Sequence, residues 1–378
     1  MVTENRLETG PLFTFNLSLS NAFYRAQAAR SPILNRMRQK TTSTSLKNPG
    51  EMALIERIRR RTGRTPIGGL SLGIGDDCAL LRLKPGEEAA VTTDLSIEGR
   101  HFKLKLHPPE AIGHRTLARG LSDIAAMGAR PVAAFLSLGL PPELTRSESG
   151  EGPAWIDRFL DGFLALSTRH NTPLAGGDLA QSSTALADIV LIGAVPRGKA
   201  LLRSGARAGD RIYVTGSVGG SAFGLRRLRG NARGSTSGDT APHLWPQPRV
   251  AQGLWLRRRA IASAAIDISD GLSTDLTHLC EESGVAAEIN AHLLPIFPGA
   301  TLKDALHGGE DYELLFTARP AKQVPQKLPG VPVTCIGTVL KASRTSARLQ
   351  LIKSLKRHAL EPSGWEHFCR ENQNQSSY

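Results

Sequence analysis

The sequence predicts an α/β chain, α+β in the way its helices and strands are mixed, built as two domains. Three observations predict it. Helical periods alternate with short apolar runs between residues 51 and 339, and that alternation breaks and restarts near Pro196. The composition, 40% hydrophobic and 21% charged with only 5% aromatic residues, suits a soluble mixed protein rather than a fibrous or membrane one. The 378 residues are enough for two cores of ordinary size, and no apolar run is long enough to span a bilayer.

The expected division is a basic extension (1–50), an N-terminal α/β domain (51–195), a C-terminal α/β domain (196–345) and a tail (346–378). The extension is rich in Ser, Thr, Asn and Arg, poor in acids and without an apolar period, so it is expected to be disordered or weakly helical. Its composition resembles an organellar transit peptide, and Met52, which heads the first helical pattern, fits a start site placed too far upstream. From 51 to 61, Met52, Ile55 and Ile58 recur at helical spacing, and runs 78–83 and 89–92 flank Pro85-Gly86 as two strands and a turn. Residues 109–127 form a helix with Asp123 inside it, 132–140 a strand, 155–168 an amphipathic helix and 185–195 the last strand of this half.

In the second half 211–215 is a strand, and the glycine-rich 216–221 leads into a helix. That loop could cradle phosphate or serve as a tight turn, since it lacks a Gly-Lys-Ser/Thr ending. The stretch after Gly230 is a polar, glycine-rich loop. Residues 264–267 are a strand feeding a helix over 272–282, three acids precede a strand that starts at Leu314, and 333–339 is a strand. Beyond it the chain is basic and irregular, except at Gly364-Trp365-Glu366-His367-Phe368.

A net charge of +13 ordinarily points to polyanions. Here the basic residues are spread over the extension and over helix faces without interleaved aromatics, so no nucleic-acid partner is expected. Cys78, Cys280, Cys335 and Cys369 are scattered, as in a reduced, cytoplasmic protein without a structural zinc.

The acids carry the functional signal. In a basic chain they gather where glycine-bearing turns adjoin apolar runs: Asp76 and Asp77, Asp94, Asp123, Asp178, Asp267 and Asp270, Glu310 and Asp311. Any one of them could be a helix cap or a turn former. Together, with Thr93 beside Asp94, they suit a hard divalent cation such as magnesium bound with nucleotide phosphates, and no histidine spacing suits zinc.

Gly-Ile-Gly-Asp-Asp at 73–77, Thr-Thr-Asp at 92–94, Leu-Ser-Asp-Ile-Ala-Ala-Met-Gly-Ala at 121–129, Gly-Gly-Asp at 176–178, Arg-Ser-Gly-Ala at 203–206, Asp-Ile-Ser-Asp-Gly-Leu at 267–272 and Gly-Gly-Glu-Asp-Tyr-Glu-Leu at 308–314 resemble the thiamine-monophosphate kinase family, in family order. The resemblance implies the two-domain fold of aminoimidazole ribonucleotide synthetase, with the N-terminal domain pairing in a homodimer. It implies phosphorylation of thiamine monophosphate to thiamine diphosphate by direct in-line transfer, with ATP as co-substrate and several Mg²⁺ ions. Another ATP-dependent synthetase of the same superfamily, acting on a different small acceptor, is the alternative.

Residue by residue, the resemblance implies magnesium ligands at Asp77, Thr92, Thr93, Asp94, Asp123, Asp178, Asp267 and Asp270, with Asp94 and Asp123 the catalytic pair. It implies ATP contacts at Gly177, Asp178, Arg203 and Ser269, and substrate contacts at His101, Glu310 and Trp365. An indole face at Trp365 suits a cationic thiazolium, and Glu310 is expected to oppose that charge. Two positions depart from the family pattern: Gly120 where Asn precedes Leu-Ser-Asp, and Leu179 where Thr follows Gly-Gly-Asp. Both departures are expected to remove polar groups near the phosphates.

Overall fold

Residues 50–62, 69–75, 77–147, 153–231, 238–343, 345 and 347–365 are described by a computed structural model. The expectations for the extension up to residue 49, for Asp76, for most of the loop after Gly230 and for 366–368 lie outside the described residues.

Helix α1 (Glu51–Thr62) buries Leu54 and Ile58. Strands β1 (Leu70–Leu72) and β2 (Leu80–Leu81) form a small antiparallel ribbon, shorter than the run 78–83 predicts. Then come β3 (Glu87–Ile97), α2 (Pro109–Ala126), β4 (Arg130–Leu140), α3 (Trp155–Arg169), β5 (Leu174–Gln181) and β6 (Leu186–Pro196). Their sheet runs β3-β6-β4-β5, and only β4 and β5 are parallel, joined through α3. Strand β3 starts two residues before the apolar run and continues five beyond it, because it pairs with β6 along its whole length.

Helix α2 is the axis of the molecule. Proline at its first position suits a helix start, and almost every residue from Pro109 to Ala126 is buried. A helix covered all round must lie between layers. Leu117, Leu121, Phe159, Phe163, Ile189 and Leu191 form one core with Ala265, Leu314 and Phe316 of the second half. Gly113 of α2 and Gly162 of α3 let the two backbones touch, since a Cβ on either would overlap a carbonyl oxygen of the other helix, at Phe159 and Glu110.

The second half comprises β7 (Arg211–Thr215), α4 (Gly220–Asn231), α5 (Ala241–Leu244), α6 (Val250–Arg258), β8 (Ala262–Asp267), α7 (Leu272–Ser283), β9 (Val285–Asn290), α8 (Leu302–His307), β10 (Leu314–Ala318), β11 (Lys327–Leu328), β12 (Val331–Lys341), β13 (Leu349–Lys353) and β14 (Lys356–Ala359). The sheet order is β14-β13-β9-β12-β7-β10-β8, with β11 paired to β12. Period-two alternation divides its faces: Tyr213, Ala265, Leu314 and Phe316 pack toward α2 and α6, while Ile212, Val214, Ile266 and Leu315 pack with Leu272, Leu276 and Leu279 of α7.

The hairpin of β13 and β14 contradicts the irregular tail expected after residue 339. Leu349 and Leu351 are buried on alternate positions, and β13 runs parallel to β9. The turn is at Ser354 and Leu355, both with positive φ (49° and 64°). Asn-Gly usually fills such a turn, so its signal was absent from the sequence.

Candidate active site

A cavity of about 280 Å³ opens where the two halves meet, lined by Thr93, Asp94, His101, Arg119, Asp123, Asp267, Ser269, Asp270, Glu310, Tyr312 and Trp365. Nine of these are residues that the sequence singled out, drawn from β3, α2, the end of β8, the segment before β10 and the C-terminal stretch.

Strand β3 and helix α2 supply one wall. Thr92 donates a hydrogen bond to Asp123, and Arg119 donates from Nε and Nη2 to Oδ1 of Asp94 at 3.2 and 2.9 Å. Across the joint, Ser122 Oγ donates to Oδ2 of Asp267 at 2.6 Å. Burial pushes the Asp267 carboxyl up to about 7, and the nearby carboxylates of Asp123 and Asp94 add to the shift. Burial, with Asp94 beside it, likewise raises Asp123 to about 6, although the Thr92 hydrogen bond opposes the shift. Acids packed this closely resist ionising together unless a cation joins them.

Behind Asp267, the backbone N–H groups of Ser269, Asp270 and Gly271 all donate to Asp275 Oδ2, at 3.0–3.1 Å. The buried Asp275 carboxylate thus shapes the turn that presents Ser269 and Asp270. Gly271 turns at φ 117°, where a Cβ would press on the His307 backbone. Trp365 is held against this turn by its backbone N–H, which donates to the Asp270 carbonyl at 3.0 Å.

The opposite wall is built on strained backbone. Glu310 and Tyr312 have positive φ (65° and 52°), a conformation that side chains rarely adopt. Hydrogen bonds hold them there: Glu310 N–H donates to the Ser269 carbonyl and Tyr312 N–H to the Ile268 carbonyl. Between them Asp311 accepts from the backbone N–H of Gly219 and Ser221, at 2.6 and 2.9 Å. The glycine-rich loop is therefore a turn closed by Asp311, which engages the amides of Gly219 and Ser221.

Glu310 does not stand open as a counter-charge for substrate. Arg115 Nη2 donates to both its carboxylate oxygens at 2.8 Å, and Arg119 Nη1 lies 3.8 Å away. Burial would raise the Glu310 carboxyl, but the two guanidinium groups hold it below the usual range. Arg115 also donates to the carbonyls of His243 (2.7 Å) and His101 (3.2 Å). His101 accepts the Ile97 N–H on Nδ1, so its proton sits on Nε2.

Asp77, Gly177, Asp178 and Arg203 are exposed and are not on the cavity wall. Arg203 is still close enough for its charge to favour ionised Asp123 and Asp267. Gly177 has a backbone reason of its own, because a Cβ there would overlap the Leu136 carbonyl oxygen. The two positions that depart from the family pattern both have apolar neighbours. A Cβ on Gly120 would face Leu191 on β6, 3.2 Å from its Cβ, and Leu179 packs against the main core. Neither position is on the cavity wall.

Arg115, Arg119 and Asp275 were missed from sequence. Positions 115, 119, 122 and 123 do fall on one stripe at helical spacing, but Glu110, His114 and Thr116 are polar on the same helix, so the stripe does not stand out in sequence.

Carboxylate and hydroxyl oxygens dominate the wall, the donor set of a hard cation. Among the described residues no three acids or histidines converge as a ready-made cage.

Residues 75–196 match the family described as AIR synthase related protein, N-terminal domain, and residues 207–350 match its C-terminal domain. The thiamine-monophosphate kinase of Escherichia coli is 38% identical over 338 residues, 85% of this chain and 98% of the relative. The crystal structure of the thiamine-monophosphate kinase from Stenotrophomonas maltophilia matches at 38% identity with a TM-score of 0.67, over 80% of this chain and 96% of that one. AaThiL complexed with AMPPCP and TMP matches at 29% identity with a TM-score of 0.65, over 84% and 97%. With both halves matched in order and the relatives covered almost end to end, the chain belongs to the thiamine-monophosphate kinase family of AIR synthase related proteins.

Proposed function

We propose that the chain transfers the terminal phosphoryl group of ATP to thiamine monophosphate, giving thiamine diphosphate. Relatives bear the name of that activity, and AaThiL is complexed with AMPPCP and TMP. The observation that carries the reading is the cavity itself, where Asp94, Asp123, Asp267 and Asp270 line one space together with Glu310 and Trp365.

The acceptor oxygen belongs to a phosphate already ionised near neutral pH. No general base is therefore required, and positioning and charge neutralisation supply the catalysis. Magnesium, bound when present by Asp94, Asp123, Asp267 and Asp270, with Asp77, Thr92, Thr93 and Asp178 around them, supplies positive charge for the transferring group. Thr92 and Ser122 orient Asp123 and Asp267 through their hydrogen bonds. Arg203, Gly177 and Ser269 serve the nucleotide, while His101 and Trp365 face the thiamine phosphate. Transfer is direct, without a phospho-enzyme.

Residues 51–195 supply Asp94 and Asp123 to the metal and nucleotide site and carry the dimer contact, 196–345 supply Arg203, Asp267, Ser269, Asp270 and Glu310, and 346–378 bring Trp365. Homodimerisation is supported by edge strand β3, which leaves Val91 60% and Leu95 45% exposed on the face away from α2. A cytoplasmic location is supported by Cys78, Cys280 and Cys335, all without a disulfide. No helix among the described residues is long and apolar enough to cross a membrane.

The test is a coupled assay with ATP, magnesium and thiamine monophosphate. Thiamine diphosphate should form in step with ADP. ATP consumption that ignores thiamine monophosphate would overturn the reading.

A further inference from the structure

We propose that Arg119 binds the phosphate of the acceptor, with Asp94 and Glu310 as the residues that position it. The inference rests on the reading of the cavity as a thiamine-monophosphate kinase site.

Among the described residues Arg119 carries the only guanidinium or ammonium group on the cavity wall. Its place is set from two sides. Nε and Nη2 are anchored on Asp94, among the acids that face the transferred group, and Nη1 points toward Glu310, 3.8 Å away on the wall that includes Tyr312 and Trp365. The acceptor phosphate has to lie between those two regions, because it joins the transferred group to the thiazolium.

Charge points the same way. Glu310 is satisfied by its two-oxygen contact with Arg115, so it neutralises Arg115 more than it neutralises Arg119. Among the described residues Arg119 bonds to Asp94 at 2.9 Å, an acid that lines the cavity with Asp123 and Asp267, and its second anionic neighbour, Glu310, is farther off at 3.8 Å. Were Asp94 to share its charge with a metal ion, Arg119, which lines the cavity, would keep positive charge to offer a ligand. A planar guanidinium matches phosphate oxygens in pairs and is the residue type best suited to that task. Glu310 thus acts through the arginines and not as the direct counter-ion of the thiazolium.

The experiment is calorimetric binding to full-length protein in magnesium, with thiamine monophosphate, unphosphorylated thiamine and AMPPCP as separate probes. Arg119→Met should weaken thiamine monophosphate about ten- to a hundredfold, the scale of a charge-assisted hydrogen-bond pair, and leave thiamine and AMPPCP within about twofold. Arg119→Lys keeps the charge without the fork and should fall between the two, which carries the test if the methionine variant does not fold. Equal losses for thiamine and its monophosphate, or loss confined to AMPPCP, would overturn the proposal. So would tighter Mg²⁺ binding with undiminished thiamine-monophosphate affinity, which would make Arg119 only a counter-ion for Asp94. Wild-type protein that binds AMPPCP but neither thiamine compound would overturn the thiamine reading itself, and this inference with it.

Discussion

Replacing Arg115 with Met tests the energetics that hold the second wall in place. Arg115 is 5% exposed and Glu310 8%, and the two meet through both carboxylate oxygens at 2.8 Å. Methionine fills similar volume but leaves the Glu310 carboxylate buried, with Arg119 at 3.8 Å as its remaining cation. It also abandons the carbonyls of His243 and His101. Breaking a buried ion pair by removing one partner costs about 3–5 kcal/mol. In a chain of this length that lowers the thermal midpoint by roughly 5 °C. Urea unfolding followed by circular dichroism measures the loss directly. A second variant, Arg115→Met with Glu310→Gln, removes the stranded charge and should regain about 2 kcal/mol while remaining inactive. The reasoning fails if the single variant stays within about 1 kcal/mol of the parent, or if the double variant is no more stable than the single one.

Three further outcomes are expected. Asp94→Asn and Asp123→Asn should each lower turnover on the order of a hundredfold or more with little change in unfolding midpoint; parental rates in both would remove these acids from the site. Gly162→Ala should destabilise by about 2 kcal/mol or more, because its methyl would drive α3 off the Glu110 carbonyl, and should also reduce activity by shifting α2; a neutral effect would contradict the close approach of the helices. His107 and His114 are lowered from 6.5 to about 4, mainly by burial. The unfolded chain therefore binds more protons between pH 6.5 and 4, and stability falls as pH drops through that window, by up to roughly 3 kcal/mol for each histidine. Thermal midpoints measured from pH 8 to 4.5 should show this decline, with a shallower slope in His107→Gln; an equal slope would show that His107 does not contribute.

Most of the acidic wall was legible because each acid sits at a junction that sequence reveals: Asp94 at the end of an apolar run, Asp267 and Asp270 between strand and helix, Glu310 after two glycines. The arginines were not, because an arginine on a helix ordinarily signals a solvated face, and only the position of α2 between two sheets turns that face inward. Gly120 lies on the side of the same helix that meets Leu191 and Ile189 of β6. The β13–β14 hairpin escaped because its turn uses Ser354 and Leu355, for which no local rule predicts positive φ. The pairing of Arg115 with Glu310 joins positions 195 residues apart, beyond the reach of any periodicity.

Because the hydrogen bond from Ser122 to Asp267, the Arg115–Glu310 pair and the tether from Trp365 to Asp270 all cross long stretches of sequence, the cavity has a date of birth during synthesis. Asp123 leaves the ribosome about 240 residues before Trp365, which at 5–20 residues per second is an interval of roughly 12 to 50 seconds. For that time the N-terminal sheet can be folded while α2 carries Arg115, Arg119 and Asp123 with no opposing wall. Until then the stripe of Arg115, Arg119 and Asp123 lacks the partners that Asp267, Glu310 and Trp365 bring, and the cavity is complete only once Trp365 has been made.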